Sequence, residues 1–152
     1  MTDRDLLRHA LATLAYRASN ALHDAPASFA RFDGGGKTPV VILAHMGDLL
    51  DWALSMAQGA EQWHNAKPLP WKKESARFFA ALKRLDDYLA SPKLLQAEVD
   101  RLLQGPVADA LTHTGQIAML RRMAGAPAKS GNYYAADIVM GRVGAKQALF
   151  KR

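Results

Sequence analysis

Apolar residues recur at intervals of three and four through most of the chain, and proline or glycine interrupts them at only a few points. That spacing writes helices, each with one face to bury. No run alternates apolar and polar residues between turn signals, so no segment reads as a strand. Four long amphipathic helices must bury their stripes against one another, and the expected fold is an all-α four-helix bundle. The chain has 152 residues and reads as one domain, with the bundle over about residues 1–125 and a C-terminal extension of loop and short helix over 126–152. A chain of this length buries roughly 70% of its unfolded surface without needing disulfides or metal.

The first helix is expected over 3–23, capped by Thr2, with Leu7, Leu11, Leu14, Ala18 and Leu22 as its stripe. His9 and His23 fall away from that stripe. Residues 25–37 read as a flexible lid or connector. Its Gly34-Gly35-Gly36-Lys37-Thr38 run only partly echoes a phosphate-binding loop, because no strand precedes it and the Gly-Lys-Ser/Thr ending is incomplete. Thr38-Pro39 starts the second helix, which runs to about Gln58-Gly59. On a helical wheel Val41, His45, Leu49, Trp52 and Met56 share a face, which sets His45 in an apolar stripe. Residues 60–71 form a second connector, whose Trp63 and Trp71 either plug the bundle end, the simpler reading, or close the mouth of a pocket. The third helix covers about 72–90, a shorter helical piece about 93–104, and Gly105-Pro106 restarts the chain into the last long helix, ending at Gly125. A short helix is expected around 134–140.

Composition narrows the function classes. The chain has no cysteine and a formal net charge of +6. Any metal must therefore be held by His, Asp or Glu, and no thiol nucleophile exists. The basic residues are scattered, and the doublets Lys72-Lys73, Arg121-Arg122 and Lys151-Arg152 lie far apart. This gives a solvated basic surface and no nucleic-acid recognition motif. The longest uninterrupted apolar stretch, Pro39 to Ala44, falls short of the roughly 20 residues of a membrane span. The charged start of the chain lacks the apolar run of a signal peptide. The expected setting is cytoplasmic, without membrane.

One cluster carries chemistry. Asp109 and His113 stand one turn apart on the last helix, so both project from one face. His45, from another helix, completes a set of two imidazoles and a carboxylate, which suits Zn, Ni, Fe(II) or Mn with positions left open. Gln116 and Asp48 border the same faces and are candidates to orient the ligands. Two other readings stand beside this one. Asp109 could serve the positive end of a helix dipole, worth about 0.3–1 kcal/mol, or it could simply pair with His113.

Two segments carry a family resemblance. The sequence ILAHMGDLLDWAL at 42–54 places a histidine in an apolar stripe with a tryptophan seven residues on. The sequence DALTHTGQIAMLRRMAG at 109–125 places a histidine before Gly-Gln and an apolar run. Together they resemble the DinB-like family, also called YfiT-like or damage-inducible, over about residues 1–125. The resemblance implies a four-helix bundle with a three-histidine divalent metal site, often in a homodimer. Characterised members include thiol S-transferases and a maleylpyruvate isomerase-like branch. His45 matches the ligand on the second helix and His113 the second histidine of the pair, while Asp109 stands where the first histidine would be. The C-terminal extension lies beyond that pattern; folded over the open end of the bundle, it would bring Asn132 or Tyr133 to the site. The function implied is that of a divalent-metal-dependent hydrolase or thiol transferase acting on a small molecule. The alternative is a non-catalytic, stress-related bundle that holds an apolar ligand without metal.

Overall fold

Thr2 opens the first helix with a reciprocal cap. Its hydroxyl accepts from the Asp5 backbone N–H at 3.1 Å, and the Asp5 carboxylate accepts from the Thr2 N–H at 3.0 Å, an arrangement worth about 1 kcal/mol. Helix α1 (Asp3–Leu22) then buries the expected Leu7, Leu11, Leu14, Ala18 and Leu22. The fold is taken from a computed structural model that describes residues 1–148, so the doublet Lys151-Arg152 lies outside the described residues.

Helix α2 (Pro39–Ala57) starts with proline at its first position, as its sequence requires. It is apolar enough by length and composition to cross a membrane (19 residues, hydropathy 1.4), yet here it is the central helix of the bundle, packed between two others. Its buried face runs through Ile42, Leu43, Met46, Leu50, Ala53 and Ala57. Of the stripe expected from the wheel, only Leu49 is buried, and Val41 is exposed. The wheel misleads because a helix apolar on most sides offers several equivalent stripes. His45 therefore lies on the flank of α2, not in the middle of its buried face.

Helix α3 (Trp71–Ala90) buries Trp71, Phe78, Leu82, Leu85 and Leu89 and leaves its lysines in solvent. The short α4 (Val99–Leu102) follows. Gly105-Pro106 does not restart the chain: α4 continues through a π-turn (Leu103–Val107) directly into α5 (Ala108–Met123). Proline has no N–H to donate, and its ring crowds the carbonyl four residues back. The wider i→i+5 turn accommodates both, so buried Pro106 sits inside a helical segment. Gly125, at φ +80, ends α5 in the left-handed conformation expected of a helix stop.

Among the described residues there is no strand. Each of α1 and α2 packs against both α3 and α5. The polar contacts fix the directions. Arg4 donates to the carbonyls of Tyr88 and Leu89, and Arg8 pairs with Asp86, so the start of α1 meets the end of α3. Ala44 and Asp48 meet Arg77 while Asp51 meets Arg84, so α2 and α3 run parallel. Arg121, late in α5, donates to the carbonyls of Ala21 and His23 at the end of α1. The long helices thus run up, down, down, up.

A parallel α2–α3 pair requires a strap. Residues 58–70 must return the full length of α2, roughly 28 Å, which an extended chain of that length covers. The strap is stitched down at each stage. The Gln62 N–H donates to Ser55 Oγ at 3.0 Å, the Ala66 N–H to Asp48 Oδ2 at 3.0 Å and the Leu69 N–H to Glu74 Oε2 at 2.8 Å. Trp71 does plug the bundle end, edge-on to Phe29 at 5.6 Å. Trp63 does not; it lies on the flank of α2 against Trp52 at 5.7 Å.

Two further expectations change. The first connector contains a 3₁₀ turn (Ala27–Arg31) that buries Phe29 and Ala30. Residues 134–140 form turns, not a helix. The Asn132 side chain accepts from the N–H groups of Tyr134 and Ala135, offering the backbone a local alternative to helix.

Candidate metal centre

Helices α2 and α5 run antiparallel and side by side, which sets the middle of one against the first turns of the other. His45 from α2 and His113 from α5 meet with ring centroids 4.9 Å apart, edge to face. Asp109, one turn before His113, reaches both. Its Oδ1 lies 3.3 Å from His113 Nε2 and its Oδ2 3.7 Å from His45 Nε2. One ligand atom from each of the three lies within 4.8 Å of the others, so the group could hold a metal ion. A tetrahedral ion with ligands at 2.0–2.1 Å separates those ligands by roughly 3.4 Å. The two nitrogen–carboxylate distances are of that order, though each runs to a different oxygen of Asp109, and the donor set suits a divalent ion.

The second ring nitrogens sharpen the case. His113 Nδ1 is 2.7 Å from Gln116 Oε1. An amide oxygen can only accept, so with Gln116 Oε1 on Nδ1–H it is Nε2 that faces the Asp109 carboxylate. A metal ion there would satisfy both groups, as would a proton on Nε2. His45 is one-third exposed. Burial holds its pKa below the usual imidazole value, His113 and Lys37 push the same way, and Asp109 opposes them. The unprotonated ring, the form that ligates, is thereby favoured near neutral pH.

The continuity of α4, the π-turn and α5 bears on Asp109. The backbone N–H groups around it belong to a running helix and are not free first-turn donors, and no side chain caps α5. Stabilisation of a free helix end does not explain this carboxylate, whose side chain is 46% exposed and directed at two imidazoles.

The remaining sequence candidates fall elsewhere. Asp48 does not reach the histidines. It accepts from Arg77 at 3.2 Å and from the Ala66 N–H, serving as a strut for the strap. Trp52 is one ring removed from the site, touching Trp63, which in turn lies 5.6 Å from the His45 ring. Its indole N–H donates to Glu61 at 3.2 Å, and it lines a separate cavity of about 700 Å³ with Arg101 and Pro106. Tyr133 does not come to the site. It packs edge-on against Tyr16 at 6.3 Å beneath the Arg17 guanidinium. Asn20 and Ser19 bind the carbonyls of Lys129 and Ala145. The extension therefore lies along α1, whose exposed polar groups supply partners that the mouth of the site lacks.

Beside His45 and His113 opens a cavity of about 460 Å³, lined also by Gln116, Ile42, Met119 and Leu120 and closed at one end by Gly34, Gly36 and Lys37. This volume is in the range of small-molecule sites. The glycine run, read from the sequence as a flexible lid or connector, contributes to this wall. A Cβ on Gly34 would stand 2.5 Å from Leu120 Cδ2 and push that side chain aside, and Gly35 turns at φ +90, a conformation that favours glycine. In the sequence Lys37 shows only within an incomplete motif, and Trp63 only as a connector aromatic that could plug the bundle end or close a pocket. No family model, curated protein or solved structure matches the chain.

Proposed function

We propose that the chain is a divalent-metal-dependent enzyme in which His45, Asp109 and His113 hold one ion at one end of the cavity. The observation that carries this reading is the convergence of two imidazole Nε2 atoms on one carboxylate at ligand-shell spacing. The Nδ1 contact to Gln116, which directs His113 Nε2 inward, supports it. When bound, such an ion supplies Lewis acidity and lowers the pKa of a coordinated water or thiol. The chain's own residues do the rest. Gln116 fixes the His113 ring, Trp63 backs the His45 ring and keeps solvent from that side, and the cavity admits a substrate from the α2–α5 face. The donor set suits Zn, Ni, Fe(II) or Mn, the composition fits a cytoplasmic setting, and the resemblance to the DinB-like family favours hydrolysis or thiol transfer on a small molecule and a homodimer. An aspartate at the position of the family's first histidine makes the site less positive by one charge.

The test is elemental analysis of protein purified without chelator or polyhistidine tag. The expected result is about one divalent ion per chain. His45→Ala and Asp109→Ala should each abolish uptake, and Gln116→Ala should weaken it by about 10–100-fold. Wild-type protein that takes up none of the four metals on titration would overturn the reading and leave an Asp–His electrostatic cluster.

A further inference from the structure

The cavity beside His45 and His113 is graded along its length. At one end stand the two imidazoles with Gln116; at the other stand the glycine loop and Lys37; between them the wall is Ile42 of α2 and Met119 and Leu120 of α5. From His45 to the start of α2 is about six residues of helix, roughly 9 Å along the bundle axis. Lys37 stands just before that start, exposed, and it pairs with no carboxylate among the described residues. Asp33, in the same loop, turns its carboxylate back onto the Gly35 N–H at 2.9 Å. The loop end of the cavity therefore offers one uncompensated cation above an apolar wall, on a chain whose net charge is +6.

We propose that this cavity binds a small organic carboxylate with an apolar body, the carboxylate at Lys37 and the hydrocarbon along Ile42, Met119 and Leu120, so that its far end meets His45 and His113. This names a substrate class for the site described above and so rests on that functional reading. Its recognition half, however, uses only residues of the chain and is testable without metal. A neutral ligand of the same shape would gain the apolar contacts but not the charge. An organic cation would be repelled by Lys37.

The probe is octanoate, compared with octanol and octylammonium, titrated calorimetrically into the full chain stripped of metal and again with zinc added. Octanoate is expected to bind at least about tenfold more tightly than either analogue. Lys37→Glu should remove that preference, and Lys37→Arg should keep it. Zinc uptake, measured separately, should persist in both variants. Equal binding of octanoate and octylammonium, unaltered octanoate affinity in Lys37→Glu, or no binding of any of the three would overturn the proposal. Charge-selective binding by a protein that takes up no metal would sustain it while removing the metal reading. Metal uptake with charge-blind binding would do the reverse.

Discussion

The His45 ring has three kinds of neighbour: the His113 ring, the Asp109 carboxylate and the Trp63 ring. Burial lowers its pKa in the folded chain below the ordinary value of 6.5. The sign of the consequence follows. The unfolded chain binds this proton more readily, so the group's contribution to stability is complete above about pH 6.5 and is lost as pH falls through the folded value. In metal-free protein the His45 ring protons should titrate below 6.5 by NMR, and the urea midpoint should fall between pH 7.5 and 5. A titration at or above 6.5 would show that the Asp109 charge outweighs burial. The Asp109–His113 pairing was legible because one helical turn is local geometry. Trp63 and Lys37 were not, because their positions depend on where a strap and a glycine loop run, and no spacing rule carries across a connector.

At the scale of the elements, Gly47 is where α2 yields to α3. The Arg77 guanidinium lies flat on the helix there, donating to Glu74 at 2.6 Å, to the Ala44 carbonyl at 2.7 Å and to Asp48 at 3.2 Å. A Cβ at position 47 would stand 2.9 Å from the guanidinium carbon. In an open helix Gly→Ala stabilises by about 1 kcal/mol. Here it would displace a charged group that keeps the fully buried Glu74 satisfied, and loosening a buried charge pair costs about 3–5 kcal/mol at the limit. Gly47→Ala should therefore destabilise, by about 1–3 kcal/mol in urea unfolding, and a gain in stability would refute the packing argument. Helix boundaries were readable because Thr2, Pro39 and Gly125 are local signals. The buried face of α2 was not, since a helix apolar on most sides offers several stripes and only its neighbours decide which is covered. Nor was the π-turn, since Gly105-Pro106 spells a break and only packing on both sides holds the segment helical.

Taken whole, the bundle was legible as a class from its periodicity, and its connectivity was not. An up-down-down-up order leaves no trace in a helical wheel; it emerges from pairs such as Arg8–Asp86 and Arg121–Ala21. The extension followed the same logic, settling on α1 because Arg17, Ser19 and Asn20 offered it partners. The order of the helices also sets a timescale. Of the packed long-helix pairs, only α2 with α3 joins neighbours in the chain, and the strap between them must first close over the length of a helix. The other contacts wait for encounters between distant parts of the polypeptide, each carrying the entropy of a large loop. Most helical bundles zip along hairpins within microseconds to milliseconds. This one should refold more slowly than hairpin-connected bundles of its size, a rate that stopped-flow tryptophan fluorescence would read.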